Sequence, residues 1–297
     1  MRNSIILFCL AIPFMVCCKR DNEVVDNQPL RVVSFMETNK TKVDYISDNG
    51  SLVPGWEAGD VISIYWGQKT YYYIAKDSGS QTEFIPATDS DTLSGIPDGT
   101  IIYCFYPRVD IVDNKVLVSN LEADTFIYEK EDRVVFPYNY MRGVGQVKKG
   151  VLSIGFRHIF SYIKLLVSKD LVGPTSYGGI RLKFNTYELL SYSIKYDIES
   201  QQFIERQSAW WNQWTAWHLL YAKEQSGPII KGYLYYPVIP GEYKNLDIEV
   251  YVKNDPNFTY HTDFIEFLPN RIYVLDPVKS IMYDTEGGIS DMSVINW

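Results

Sequence analysis

The stretch Leu246-Asp247-Ile248-Glu249-Val250-Tyr251-Val252 alternates aliphatic and more polar side chains along its whole length. Successive side chains of a β-strand point to opposite faces, so this pattern places the aliphatic residues on one face and the polar ones on the other. A strand of this kind has one face in a core and one toward solvent. The stretch therefore predicts β-structure, and no long segment elsewhere shows the periodicity of an amphipathic helix.

Other short runs along the chain also have strand character. Val61–Trp66 and residues 70–75 are separated by Gly67-Gln68-Lys69, a glycine-containing connection of hairpin length. Ile101–Tyr106 is almost continuously apolar and is followed by Pro107, which is typical of a strand buried on both faces. Aromatic residues make up 15% of the chain and include 24 tyrosines, whose rings pack well across strands. We therefore predict an all-β protein.

A chain of 297 residues is longer than one compact core usually holds, which favours two domains. Residues 142–150 combine glycines with basic side chains and show little apolar periodicity, so we predict that they form a connection. The boundary is placed there, with an N-terminal domain at residues 30–147 and a C-terminal domain at residues 148–297. Both parts contain several strand-like runs, so each is expected to be a β-domain.

The N-terminus has the features of an export signal of the lipoprotein kind. A basic residue precedes an apolar run that ends at Val16, and Cys17, Cys18 and several charged residues follow. The run is too short for a membrane-spanning helix. Because the residue before the cleavage site must be small, we predict a signal peptide at residues 1–17 and a lipid on Cys18. Residues 18–29 would then form a polar tether. The alternative is an ordinary secretory signal whose cysteines are incidental.

Composition argues against several classes of function. The formal charge of -8 and the pI near 5.0 would repel phosphates, so no nucleic-acid partner is expected. Besides the lipidated cysteine, the mature chain retains only Cys104, which leaves no disulfide framework or zinc cluster. The three histidines are scattered, and no nucleophile motif accompanies them. We therefore expect a protein that is not an enzyme and that uses no cofactor or metal.

A tryptophan-rich segment is the one candidate for ligand binding. Indole rings stack on the apolar faces of sugars and amides bind hydroxyls, so a glycan is a sensible ligand for it. Burial between the domains is the alternative, because an exposed patch of this size promotes aggregation unless a partner covers it. The tryptophans concerned are Trp210, Trp211, Trp214 and Trp217.

Spaced motifs along the chain match one known pattern. Trp56-Glu57-Ala58-Gly59-Asp60-Val61-Ile62-Ser63-Ile64-Tyr65 fits W-x-x-G-D-x-I-x-x-Y/F, and Phe156-Arg157-His158-Ile159-Phe160-Ser161-Tyr162-Ile163 fits F-x-H-x-x-S/A-x-I/L. Further matches are Tyr103-Cys104-Phe105-Tyr106-Pro107, Pro240-Gly241-Glu242-Tyr243 and Ile295-Asn296-Trp297. In this order they resemble the fimbrillin family, the β-sandwich pilins and Mfa-like lipoproteins of Bacteroidia.

The resemblance implies two transthyretin-like Greek-key β-sandwiches in a surface-exposed lipoprotein of the cell outer membrane that forms or anchors a pilus. In that family a protease removes the first strand after a basic residue, and a strand from a neighbouring pilin subunit fills the groove. Such strand addition uses the unpaired N–H and C=O groups of an exposed sheet edge. Residues 30–36 would be the removable strand here, and Lys42 would be the processing site, where the family usually has arginine.

The C-terminal segment has two interpretations. Residues 282–297 would be a donor strand with Gly287-Gly288 as a hinge, or the closing strand of the last sandwich after a glycine turn. The leading hypothesis is a structural, anchoring or adhesive pilus subunit, bound to the membrane through its lipid. Its partners would be other pilin subunits by donor-strand exchange, and a host glycan or protein. The alternative is a glycan-binding surface lipoprotein of a nutrient-capture system, in which the tryptophan-rich segment binds the ligand.

Overall fold

The computed structural model describes a chain built from β-strands. The described residues are 28–35, 44–48, 51–119, 125–128, 133–135, 140–168, 178–186, 188–189, 193–206, 218–220, 231–252, 255–275 and 293–296. Within these ranges there is one short 3-10 helix, Asp89–Asp91, and no α-helix. The prediction of an all-β protein is therefore confirmed. The described residues also include no helix with the length and apolar character that crossing a membrane requires.

The strands are numbered β1 to β22 in chain order. The first eleven are β1 (Arg31–Phe35), β2 (Asp44–Asp48), β3 (Ser51–Gly55), β4 (Val61–Trp66), β5 (Lys69–Ala75), β6 (Gln81–Pro86), β7 (Ile101–Tyr106), β8 (Lys115–Ser119), β9 (Thr125–Tyr128), β10 (Arg133–Val135) and β11 (Met141–Lys148). The others are β12 (Val151–His158), β13 (Ser161–Ser168), β14 (Gly178–Phe184), β15 (Ser193–Asp197), β16 (Gln202–Arg206), β17 (His218–Leu220), β18 (Lys231–Val238), β19 (Gly241–Val252), β20 (Asp255–Phe267), β21 (Arg271–Leu275) and β22 (Ser293–Asn296).

Seven strands, all from residues 31–158, close into a barrel, so β12 joins it from beyond the boundary predicted near residue 148. Their order is β1-β12-β11-β7-β4-β5-β6, and β6 pairs again with β1. The hairpin predicted from Gly67-Gln68-Lys69 is present, because β4 and β5 pair in antiparallel register through Trp66 and Lys69. The inward side chains form one apolar core that includes Val32, Trp56 and Phe156. Strand β1 is one of the seven strands and is held in the barrel by its neighbours β6 and β12.

Four further sheets complete the described structure. A five-stranded sheet has the order β22-β21-β13-β18-β9, and a four-stranded sheet has the order β17-β14-β19-β20. Two three-stranded sheets have the orders β10-β2-β3 and β16-β15-β8. The alternation that predicted β19 is confirmed, since Leu246, Ile248 and Val250 are buried in the core between the four- and five-stranded sheets.

The two halves of the chain are joined by pairing and packing. Strand β8 pairs with β15, and β9 pairs with β18, although both β8 and β9 come from the N-terminal half. A third core contains residues of both halves, among them Phe105 and Tyr196, whose rings lie 6.3 Å apart. Next to Phe105, Cys104 lies in the barrel core. Neighbouring residues of β7 thus face two cores, which confirms the prediction that this strand is buried on both sides.

The prediction of a connection at residues 142–150 is wrong. Residues 142–148 belong to β11, which pairs with β7 on one side and β12 on the other. The boundary placed near residue 148 falls in the two-residue turn of Lys149 and Gly150 between neighbouring barrel strands. Glycine is a turn signal in a sequence, but in β11 it serves the close approach of side chains from β12. The division into two transthyretin-like sandwiches stays a prediction.

Candidate functional site at the first strand

Strand β1 is paired on both of its edges. It runs parallel to β12, with Arg31 opposite Val151 and Phe35 opposite Gly155. It runs antiparallel to β6, with Val32 opposite Phe84. A strand held in this way closes the barrel, and its loss would expose the hydrogen-bonding groups of two facing strand edges.

The side chains of β1 alternate between the barrel core and the surface. Val32 and Ser34 are buried, as is Leu30 just before the strand, and Leu30 and Val32 belong to the barrel core. On the outer side, Arg31 Nε donates to Glu83 Oε1 over 3.2 Å. Burying an aliphatic side chain stabilises a fold by about 1.5–3 kcal/mol, whereas an exposed ion pair adds about 1 kcal/mol or less. The inward residues therefore provide most of the side-chain energy that holds β1.

Trp56 lies directly beneath β1. Its indole is only 2% exposed, and Nε1 donates a hydrogen bond to Ser34 Oγ over 3.1 Å. The ring meets those of Phe84, Tyr106 and Phe156 in edge-to-face contacts, with centroid distances of 5.1–5.5 Å. Edge-to-face aromatic pairs contribute about 0.5–1.5 kcal/mol beyond their buried area. Trp56 is therefore both the centre of the barrel core and the hydrogen-bond partner of the first strand.

The segment after Trp56 forms a turn that explains the W-x-x-G-D motif. Gly59 has φ +96°, a conformation that side chains with a β-carbon rarely adopt. Asp60 accepts the backbone N–H of Glu57 at 2.8 Å through Oδ2 and the hydroxyl of Tyr106 at 3.2 Å through Oδ1. Burial and the Asp60 carboxylate together raise the pKa of Tyr106. The motif thus fixes the turn that follows Trp56 and so helps to hold the indole in the core.

Two glycines of β11 make room for residues of β12. A β-carbon on Gly143 would lie 2.7 Å from Cε1 of Phe156, and one on Gly145 would lie 2.6 Å from Cδ1 of Leu152. Real β-carbons essentially never come this close to other atoms. Because Gly143 stands directly opposite Phe156 in the sheet, its missing side chain lets the phenyl ring lie across β11 and reach Trp56.

The F-x-H-x-x-S motif connects the barrel to the turn before β21. The backbone N–H of His158 donates to Asn270 Oδ1 at 3.3 Å, and Ser161 Oγ donates to the carbonyl of Leu268 at 2.7 Å. The His158 ring is buried and lies edge-to-face against Tyr162. Burial lowers the pKa of His158 to about 3, so the imidazole is neutral at physiological pH. These contacts explain the motif by packing and hydrogen bonding.

The C-terminal strand β22 lies at the edge of the five-stranded sheet. It pairs in antiparallel register with β21, from Ser293 opposite Val274 to Asn296 opposite Arg271. In the part of the chain that the structure describes, β22 has no second neighbour.

The structure does not describe the site residues that the sequence predicts. Cys18 and Lys42 lie outside the described residues, and so does each of Trp210, Trp211, Trp214 and Trp217. Among the described residues, no group of three or more histidine, cysteine, aspartate or glutamate side chains is placed to hold a metal ion. Sequence reasoning missed the pairing of Ser34 with Trp56. In the sequence Trp56 stands out only as part of a motif, and nothing local to Ser34 indicates a buried partner 22 positions away.

Comparison with known proteins gives similarity in structure only. No protein-family model and no curated protein sequence matches this chain. A solved structure of a proposed cell-adhesion protein from Bacteroides uniformis aligns over 91% of this chain and 98% of its own, with 13% identity and a TM-score of 0.50. Another, from Bacteroides ovatus, aligns over 91% and 96%, with 9% identity and a TM-score of 0.52.

A fimbrial protein is also similar, at a lower level. The tip fimbrial protein Mfa3 from Porphyromonas gingivalis, solved with a C-terminal truncation, aligns over 91% of this chain and all of its own, with 7% identity. Its TM-score of 0.37 is too low to support any argument about this chain. The chain therefore has the fold of the two Bacteroides proteins, which agrees, at the level of the fold, with the resemblance to the fimbrillin family found in the sequence.

Proposed function

We propose that this protein is a surface subunit of fimbrillin type, with no catalytic role, that assembles with other subunits by β-strand addition. In this proposal β1 occupies the site that a strand from a neighbouring subunit takes over during assembly. Subunits would then be joined by backbone hydrogen bonds along two strand edges and by side chains in the barrel core. The function is structural or adhesive, as part or anchor of a pilus.

The observation that carries the proposal is the double pairing of β1 in a closed barrel. Removing a strand from the end of a sheet leaves one edge, whereas removing β1 would leave the facing edges of β6 and β12 together with the cavity of its inward side chains. An apolar cavity between two unpaired edges is unstable in water. A second strand of matching pattern would restore the lost contacts, which provides the driving force for assembly.

We further propose that a lipid on Cys18 and cleavage after Lys42 belong to the same assembly process. Lipid on Cys18 would anchor the subunit to the outer membrane before processing. Lys42 lies in sequence between Phe35, the end of β1, and Asp44, the start of β2. Cleavage after Lys42 would therefore separate β1 from every other strand of the barrel without cutting any of them. The lipid and β1 would leave together, and the remaining subunit would be free to join a fibre.

Controlled cleavage tests the proposal. Residues 37–42 are replaced by the recognition sequence of a specific protease, so that β1 folds in place and is released afterwards. After cleavage we expect oligomers that resist dissociation, seen by size-exclusion chromatography with light scattering and by electron microscopy. The matched control is the same chain before cleavage, which should stay monomeric.

A cleaved chain that loses β1 and still remains monomeric would overturn assembly by this route. The state of the natural N-terminus adds an independent check. Mass spectrometry of the protein taken from the cell surface should find chains that begin at Val43, next to a pool that begins at lipidated Cys18. If every surface chain begins at Cys18, the anchoring role remains and the shaft role does not.

A further inference from the structure

We infer that residues 108–112, which we call the strap, lock the barrel against the C-terminal part of the chain, strands β13–β22. The strap follows β7 of the barrel and leads into β8, which pairs with β15 of the C-terminal part. Structural units within one chain move relative to each other by default, unless their interface holds them. The lock goes beyond the proposed function and does not depend on the exchange of β1.

Two hydroxyl groups on the outer face of the barrel hold the backbone of the strap. Ser63 Oγ of β4 donates to the carbonyl of Val109 at 2.7 Å and accepts the N–H of the same residue at 2.9 Å. Thr70 Oγ1 of β5 bonds to Ile111 in the same way, at 2.9 Å and 3.0 Å. A hydroxyl can donate and accept at once, so each one satisfies both backbone groups of one strap residue. The barrel thus binds the strap through side chains, much as a sheet edge binds a strand.

The side chains of the strap alternate between two surroundings. Ile111 is buried in the third core, and Val109 packs against the same core. The other two lie at Tyr72 of β5: the guanidinium of Arg108 is 4.2 Å from the ring centroid, and the Tyr72 hydroxyl donates to Asp110. The strap is therefore held by its backbone and by both sets of its side chains.

The turn after the strap carries one attachment to the C-terminal part. Val112 and Lys115 exchange backbone hydrogen bonds of 3.0 Å and 2.9 Å. The two residues between them, Asp113 and Asn114, both have positive φ, as a type I′ turn requires. The carbonyl of Asn114 accepts the N–H of Ile198 at 2.9 Å. Because Ile198 directly follows β15, this bond ties the strap to the C-terminal part.

A second attachment leads from Ile198 back to the barrel. Arg142 of β11 donates from Nε to the carbonyl of Ile198, and its guanidinium lies 5.3 Å from the ring centroid of Tyr103. The backbone of Ile198 is therefore bonded to the turn through its N–H and to the barrel through its C=O. Together these bonds form a ring that runs from β4 and β5 through the strap and Ile198 to β11, and closes through β7 of the barrel.

Attachment at two separate points prevents the C-terminal part from pivoting about either one. Strand β7 lies between β4 and β11, which places the two strands about 10 Å apart. The third core adds contact area, but apolar contacts have no preferred direction. Hydrogen bonds weaken steeply away from their preferred angles, so the ring fixes an orientation. Opening the ring should let the two parts turn relative to each other while each keeps its own fold.

Distance distributions within the uncleaved full-length chain test the lock. Spin labels are attached to unnatural amino acids that replace Ser80, in the loop before β6 of the barrel, and Lys244, in β19 of the four-stranded sheet. Both positions are exposed. Double electron–electron resonance then reports how widely the distance between the barrel and the C-terminal part varies.

Two variants open the ring, one at each attachment. Ser63→Ala/Thr70→Val removes the hydroxyls that hold the strap, and Arg142→Met removes the bond to the carbonyl of Ile198. The matched control is Ser153→Ala/Thr259→Val, the same chemical changes on β12 and β20, outside the ring. Circular dichroism checks the fold of each variant. Thr70→Val alone takes the place of the double variant if that variant does not fold.

Both ring variants should widen the distance distribution about twofold or more, and the control should keep the width of the parent chain. Parental widths in both ring variants would show that the third core alone fixes the orientation, and the lock would be wrong. Widening in only one of them would contradict attachment at two points. Strand β1 stays in place throughout, so neither of these results bears on the proposed function.

Amide hydrogen exchange provides an independent check at Ile198. Its N–H is bonded to the carbonyl of Asn114, whereas the hydroxyls of Ser63 and Thr70 bond to the strap. In Ser63→Ala/Thr70→Val this amide should exchange about tenfold faster or more, because the turn that holds it is no longer fixed to the barrel. Exchange at the parental rate would show that the strap and the turn are not coupled, and the ring would be wrong.

Discussion

Gly143 stands directly opposite Phe156 in the barrel, and a β-carbon at Gly143 would lie 2.7 Å from the phenyl ring. The ring crosses β11 at this point and meets the indole of Trp56 with a centroid distance of 5.1 Å. The glycine is thus part of the aromatic cluster without contributing a side chain to it. The same cluster supports β1, because Trp56 hydrogen-bonds to Ser34.

Gly143→Ala should destabilise the fold by about 1–3 kcal/mol, because the added methyl group forces Phe156 away from Trp56. The free energy of unfolding from urea titration, followed by tryptophan fluorescence, measures the change. Lys148→Ala, at an exposed position of the same strand, serves as the control and should shift stability by less than about 0.5 kcal/mol. Equal stability of Gly143→Ala and the parent would mean that Phe156 does not need this space.

Ser34→Val should cost about 1–3 kcal/mol in the intact chain, because the indole N–H of Trp56 stays buried without its acceptor. The cost should fall below about 1 kcal/mol in a Trp56→Phe background, since neither partner then has an unsatisfied polar group. A double-mutant cycle on the free energy of unfolding isolates this coupling. Strictly additive effects of the two substitutions would contradict an energetic link between the residues.

His158 should make the fold less stable as the pH falls below about 6.5. The buried ring has its pKa lowered to about 3, whereas the unfolded chain binds a proton near the ordinary value. Protons are therefore taken up on unfolding between these two values, and acid favours the unfolded state. Between pH 7.5 and pH 5.5 the free energy of unfolding should drop by about 1 kcal/mol on this account, and His158→Gln and His158→Phe should each reduce the drop.

The exposed His261 provides a control of opposite sign. Hydrogen bonds to Asp247 and Asp263 raise the pKa of His261, so its stabilising contribution is present at low pH and is lost as the pH rises through the raised value. His261→Gln should therefore make the acid-induced drop larger, not smaller. If His158→Gln and His261→Gln change the pH dependence in the same direction, the contribution assigned to one of the two rings is wrong.

Cys18→Ala should leave the protein without a membrane anchor, because the thiol that would carry the lipid is gone. Fractionation of cells that express the variant should place it among soluble proteins, and metabolic labelling with palmitate should fail. Cys17→Ala is the matched control: alanine is small enough to precede the cleavage site, so the lipid should still be attached. Membrane association of Cys18→Ala comparable to that of the control would contradict the lipoprotein assignment.

Deletion of residues 282–297 should block assembly of the cleaved chain while leaving the monomer folded. The deletion removes β22, a four-residue strand paired only with β21 among the described residues, and leaves the barrel untouched. Circular dichroism would report folding, and light scattering after cleavage would report assembly. Oligomers of unchanged size would indicate that another segment supplies the exchanged strand.

Strands with a strong local pattern could be predicted from the sequence, while their partners could not. The alternation in residues 246–252 predicted a half-buried strand, and β19 has this burial. The pairing of β8 with β15 and of β9 with β18 has no local signal, because the partners are far apart in sequence. Strand β11, where the sequence predicts a connection, also could not be recognised without its neighbours. Glycine usually marks a turn, and only the ring of Phe156 from the next strand explains it here.

By itself, the sequence determined the class of this protein: side-chain periodicity follows from local covalent geometry, so an all-β chain with few histidines and cysteines could be recognised residue by residue. Tertiary structure alone decided that the first strand closes a barrel and that Ser34 lies against the indole of Trp56. That contact depends on which strands become neighbours. Strand neighbours are chosen by the packing of the whole core, and no short stretch of sequence contains that information.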